Sequence, residues 1–209
     1  MRLSRPSFPR RGLYAITPDQ PLPPAALAAQ VAAAIAGGAM VIQHRCKDAA
    51  RRGEEAGALL AVCRSFGIPF IVNDDIELAH AIGADGVHLG RDDGAIDQAR
   101  SKLGPDAIIG LSCYDDLNRA LEAQAEGATY VAFGRFFPSR TKPHAPCASL
   151  DTLRAAQGRI QAPIVAIGGI TTANGGALLS AGADLLAVID GVFGEDDVKA
   201  AAARLSDLF

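Results

Sequence analysis

Tryptophan is missing from this chain of 209 residues, and aromatic residues together make up only 5% of it. With hydrophobic residues at 49%, the interior must be built from Ala, Val, Ile and Leu, which suits helices packed on a buried parallel sheet. No apolar run reaches the roughly 18 residues that suggest a membrane span. The opening MRLSRPSFPRR carries charge with no apolar stretch behind it, so no secretory leader is expected. Cys46, Cys63, Cys113 and Cys147 form no CxxC or zinc-type grouping; they read as buried or incidental thiols in a reducing compartment, and the cytoplasm is the expected location. Charge of one sign is lacking too. The 20 basic and 23 acidic residues leave a net charge of -3, with no broad attraction to nucleic acid, so any anion must be held locally. Arg2, Arg5, Arg10 and Arg11 collect in residues 1–11, which read as a frayed, solvated tail rather than an arm for an acidic partner.

What the chain does have is alternation. Short β-branched runs are expected as strands near Leu13–Thr17, Met40–His44, Pro69–Val72, Gly86–Leu89, Ala107–Leu111, Thr129–Phe133, Ile164–Ile167 and Leu185–Ile189. Between them lie Ala- and Leu-rich stretches with helical spacing, such as Ala25–Ala36, Arg52–Phe66, Asp115–Glu126 and Thr171–Ala181. Gly37-Gly38, Gly67, Gly83, Gly127 and Gly182 close several of these helices. Repeats of about 26 residues, with no GxGxxG after the first strand, favour a single (β/α)₈ TIM barrel of parallel strands over residues 12–209 rather than an open doubly wound sheet.

In such a barrel the chemistry lies just after each strand. After the second strand, alternation points Gln43, Arg45 and Lys47 to one side, an arrangement that reads equally as an anion grip or a solvated rim. Asn73-Asp74-Asp75 follows the third strand and Arg91-Asp92-Asp93 the fourth. Magnesium takes hard oxygen ligands, often one or two carboxylates plus substrate phosphate, which makes a metal bridge to a pyrophosphate the natural reading. Asp at the start of a helix is also a routine cap, the reading that suits Asp75 and Asp92, and each acid alone would be a cap more often than a ligand. Ser112 follows the fifth strand, and the long loop after the sixth gathers Arg135, Ser139, Arg140, Thr141 and Lys142, a length that on barrels usually signals function. Gly168-Gly169 after the seventh strand and Ile189-Asp190 after the eighth stand where barrels recurrently bind phosphate on bare backbone amides.

Taken in order, LYAIT, QHRCK, VNDD, GADGVHLGRDD, IIGLS, YVAFGRFFPSRTK, AIGGI and AVID resemble the thiamine-phosphate synthase family over nearly the whole chain from Gly12. The resemblance implies an alkyl transferase: a pyrimidine methyl diphosphate loses pyrophosphate and a thiazole phosphate takes its place. It places Gln43, Arg45, Lys47, Asn73, Ser112 and Lys142 around the pyrimidine diphosphate, with Lys142, Ser112 and Arg45 as the catalytic set. Asp74 and Asp93 would hold Mg²⁺. Ser139, Arg140, Thr141, Gly169, Ile189 and Asp190 would face the thiazole phosphate. The partners implied are these small phosphorylated molecules, with neither nucleic acid nor membrane, and a homo-oligomer is left open.

Three positions depart from the family pattern. Arg91 stands where Gln is usual, Cys46 replaces a common acid but should point away from the ligand, and Asp190 replaces a common Ser. A carboxylate aimed at phosphate would repel it, so the Asp190 side chain is expected to turn away and cap the last helix. Competing readings are the paralogous thiazole tautomerase, another phosphate-binding barrel such as a sugar-phosphate isomerase, and a non-catalytic ligand sensor. The tautomerase needs a proton-transferring group near the thiazole, yet none of His44, His80, His88 and His144 follows strand five. The isomerase leaves Asn73, Asp74 and Asp93 unexplained, and a sensor should have lost Lys142 or the metal acids.

Overall fold

The computed structural model describes residues 6–90, 93–138 and 147–209. The β-branched runs form eight strands: β1 (Gly12–Ile16), β2 (Ala39–His44), β3 (Phe70–Asn73), β4 (Gly86–Leu89), β5 (Ile108–Tyr114), β6 (Tyr130–Gly134), β7 (Ile164–Ile167) and β8 (Leu185–Val188). Helices follow each in turn: α1 (Pro24–Ala36), α2 (Arg52–Phe66), α3 (Ile76–Ile82), α4 (Ile96–Leu103), α5 (Leu117–Ala125), α6 (Leu150–Ala156), α7 (Gly175–Ser180), and after β8 both α8 (Asp190–Phe193) and α9 (Val198–Ser206). All neighbouring strands are parallel, and β1 pairs with β8 from Gly12↔Leu185 to Ala15↔Val188, closing the sheet into a barrel. The expected TIM barrel is therefore the observed fold.

Strand alternation sorts the apolar residues into two shells. Leu13, Ala15, Ile42, Val72, Val87, Ile109, Val131 and Phe133 face outward into the layer shared with the helices. Tyr14, Ile16, Val41, Ile71, Ile108, Tyr130, Val165 and Leu185 fill the barrel interior. Phe8, within the stretch expected as a tail, packs against this inner shell, its ring stacked on Tyr130 at 4.3 Å. Arg10 donates to the Gln161 carbonyl at 2.9 Å.

Several element ends differ from the sequence expectation, for local reasons. The α5 helix starts at Leu117 rather than Asp115 because Asp116 is its cap, accepting from the Arg119 N–H at 3.0 Å. The α7 helix starts at Gly175 rather than Thr171, since Asn174 Oδ1 takes the Thr171 N–H and its Nδ2 donates to the Gly169 carbonyl, holding that stretch as a turn. Strand β5 continues to Tyr114, past the expected Leu111, through a register shift between Ser112 and Tyr114.

Candidate active site

Alternation along β2 carries the first part of the site. Gln43 and Arg45 are buried, at 3% and 9% exposure. Gln43 points inward, where its Nε2 donates to the Tyr14 hydroxyl at 2.8 Å. The Arg45 N–H is held by Thr17 Oγ1 at 3.0 Å. Lys47 lies further out on the exposed rim, its N–H donating to Asp19.

His44 points the other way, away from the interior. It stacks on Phe70 and places Nε2 3.0 Å from Glu55 Oε2 on α2. Burial outweighs the neighbouring carboxylate, so the His44 pKa is lowered. Cys46 shares this outer side. With His44 and Glu55 it makes the one tight group of three potential metal-ligating side chains among the described residues. Both Glu55 oxygens are already engaged there, Oε1 by Arg51 at 2.6 Å and Oε2 by His44, so the cluster reads as an internally neutralised tie between β2 and α2. The expectation that Cys46 turns from the ligand agrees with this. Cys63 and Cys113 are buried, and burial pushes their thiols up to about 12.

The acids at the ends of β3 and β4 come together. Asp74 and Asp93 line one cavity of about 750 Å³ with Arg52, Asp75, Glu77 and Lys102. Among the described residues there, Arg52 pairs with Asp75 at 3.0 Å and Lys102 with Glu77 at 2.7 Å. Asp75 is the α3 cap, accepting from Leu78 N–H at 2.8 Å, while Asp92 lies outside the described residues. The Asp74 N–H donates to the His88 carbonyl at 2.8 Å, and its φ of 65° places the backbone in the left-handed region. Asp93 Oδ2 accepts from the Gly90 N–H at 2.8 Å. Asn73 ends β3 beside His88, its register partner.

Ser112 faces inward on β5 and meets His88 Nε2 at 2.8 Å, while His88 Nδ1 meets the Tyr130 hydroxyl at 2.9 Å. Sequence reasoning passed over His88, Tyr14 and Tyr130. The alternation of GVHL, with Val87 and Leu89 turned outward, was the signal that His88 points into the barrel. Arg119 was missed as well; it ties the two strand ends together by donating to the Ser112 and Gly90 carbonyls.

On the opposite side, Gly168 and Gly169 have φ of 108° and 62°. A side chain on Gly169 would overlap the Pro138 carbonyl, so the start of the strand-six loop lies directly on this turn. Ser139, Arg140, Thr141 and Lys142 fall outside the described residues, as does Arg91. Ile189 precedes α8 and Asp190 opens it. The expected cap is not there. The exposed Asp190 makes no capping hydrogen bond, and the last helix, α9, is capped by Asp197 through the Ala200 N–H. Asp190 is already the first helical residue, past the position from which a short side chain can reach back over the free N–H groups.

Comparison with known proteins agrees with this geometry. The family described as Thiamine monophosphate synthase matches residues 13–192. Thiamine-phosphate synthase of Methylococcus capsulatus is 56% identical over 97% of this chain and 91% of its own. The chain belongs to the thiamine-phosphate synthase family. The Chromobacterium violaceum member is also 56% identical, over 95% of this chain and 96% of its own. A solved thiamine phosphate pyrophosphorylase from Pyrococcus furiosus superimposes with a TM-score of 0.84 at 36% identity, covering 95% of each chain. As a thiamine-phosphate synthase, the chain is a transferase of thiamine biosynthesis. Among the described residues, no helix is long and apolar enough to cross a membrane.

Proposed function

We propose that the enzyme couples an aminopyrimidine methyl diphosphate to a methylthiazole ethyl phosphate, giving thiamine phosphate and pyrophosphate in a reducing cytoplasm. The observation that supports this reading is that Gln43 and Ser112 both face the barrel interior, joined through Tyr14, Tyr130 and His88, while Asp74 and Asp93, which follow β3 and β4, line one cavity. The tautomerase alternative is not favoured, because the 56% identical relatives are synthases.

Asp74 and Asp93 suit a magnesium ion. They are hard oxygen donors lining one cavity. Bound there, magnesium supplies positive charge against the departing pyrophosphate. The chain's own residues do the rest. Gln43 and Asn73 orient the aminopyrimidine, and Arg45, Lys47 and Ser112 hold the diphosphate. Lys142 tracks the charge that builds as the carbon–oxygen bond breaks and the ring stabilises the methylene cation. Ser139, Arg140 and Thr141, with Gly169 and the backbone of Ile189 and Asp190, hold the thiazole phosphate so that its ring nitrogen captures that cation. The assay is pyrophosphate release by the purified protein with both substrates and magnesium. Release that requires the thiazole phosphate supports the reading, whereas equal release from the pyrimidine alone, or none, overturns it.

A further inference from the structure

A line of polar side chains from five strands crosses the barrel interior. Gln43 Nε2 donates to Tyr14 OH at 2.8 Å, and Tyr14 OH and Tyr130 OH share a hydrogen bond of 2.8 Å. Tyr130 OH then meets His88 Nδ1 at 2.9 Å, and His88 Nε2 meets Ser112 Oγ at 2.8 Å. Gln43 and Ser112 are the ends of the line, and both carry assignments toward the pyrimidine diphosphate. The three groups between them carry none.

Proton counting leaves the line two directions, in each of which every bond runs the same way from end to end. A phenol has one proton, so between two partners in such a line it gives to one and takes from the other. If Gln43 donates to Tyr14, Tyr14 gives to Tyr130 and Tyr130 gives to His88 Nδ1. His88 must then be neutral with its proton on Nε2, which it gives to Ser112 Oγ. The serine proton is thereby released to point at a ligand. Turning the Gln43 amide over reverses every bond, and Ser112 then spends its proton on His88 and shows the ligand lone pairs only. The two orientations are not equivalent for a diphosphate, which needs a donor. The first also leaves Gln43 Oε1 as an acceptor for an exocyclic amine. Amine recognition at one end and phosphate recognition at the other therefore demand the same polarity.

The middle of the line is built rigidly. Tyr14 and Tyr130 are 1% and 0% exposed, and burial raises both phenol pKa values above their ordinary range, so both keep their protons. The Tyr130 ring is stacked between Phe8 and His88, with interplanar angles of 4° and 19°. Its hydroxyl end fills the space left by Gly110, where a side chain would overlap it.

We propose that Tyr14 and Tyr130 are positioning residues for the coupling reaction. They transmit the amide orientation of Gln43 to His88, hold His88 as the neutral Nε2–H tautomer, and turn the Ser112 hydroxyl proton toward the diphosphate. This rests on the assignment of Gln43 and Ser112 to the pyrimidine substrate.

The test is nitrogen NMR of histidine-labelled protein without substrate, with His88→Gln identifying the His88 signals, alongside kinetics of Tyr130→Phe and Tyr14→Phe. In the unsubstituted protein His88 is expected as the neutral Nε2–H form. Each phenylalanine variant is expected to mix the tautomers and to lower kcat/KM by about 10- to 100-fold with an unchanged circular dichroism spectrum. A neutral Nδ1–H tautomer or an imidazolium in the unsubstituted protein overturns the proposal, whether or not the variants fold. So does a Tyr130→Phe variant that retains both tautomer and activity. Because the spectra need no substrate, the relay is judged separately from the coupling reaction itself.

Discussion

Gly110 of β5 and Tyr130 of β6 are register partners, and the side chain the first lacks is the space the phenol of the second occupies. A small residue on one strand thus sets the position of a large polar one on the next, and through it the place of His88.

Gly110→Ala is expected to destabilise the fold by about 1–3 kcal/mol, the usual range for overpacking a filled interior. Urea denaturation with an unchanged midpoint would show that the Tyr130 ring moves aside at no cost.

Stability should fall as pH drops through about 6.5, partly because of His44. Its folded pKa lies below the ordinary value because burial dominates. Between the folded and the ordinary pKa the unfolded chain therefore binds the extra proton, and stability there rises with pH. His44→Gln should flatten this part of the curve. Denaturation midpoints from about pH 8 to pH 5 measure it, and an identical slope in the variant would place the effect elsewhere.

Asp74→Asn and Asp93→Asn should each nearly abolish coupling while leaving the circular dichroism unchanged, since an amide lacks the charge that holds a divalent ion against pyrophosphate. In Asp93→Asn the side-chain oxygen can still accept from the Gly90 N–H, which isolates the charge. Unaltered activity at limiting magnesium would remove that acid from the metal site.

Lys142→Ala should lower kcat more than it raises KM, with a loss of about 2.7–4 kcal/mol by analogy with a deleted transition-state donor. Lys47→Ala, on the exposed rim, should chiefly weaken binding. A Lys142 effect confined to KM would assign it uniform phosphate affinity instead.

Asp190→Ser should change the apparent affinity for thiazole phosphate by no more than a few-fold. With no capping bond to lose, its stability cost should stay within about 0.5 kcal/mol. A large gain in affinity would show that the carboxylate faces the phosphate.

Much of this is legible in the amino-acid sequence alone. The order of strands and helices followed from apolar periodicity, and two strands, Gly86–Leu89 and Ile164–Ile167, matched to the residue. Alternation through QHRCK separated Gln43 from His44 and Cys46, as observed, because side-chain direction in a strand is set locally. Element ends were less legible: the side-chain hydrogen bonds of Asp116 and Asn174 and the register shift in β5 are local features that composition does not show.

Which inward-facing groups touch was decided only by the tertiary structure. Tyr14 and Tyr130 are 116 positions apart, and His88 and Tyr130 are 42 apart. Periodicity assigns each to the interior but does not say at what height in the barrel it sits. That height follows from strand register around the closed sheet, a property of all eight pairings together. The same holds for Asp190, whose side chain is exposed because α8 begins one residue too early for it to act as a cap.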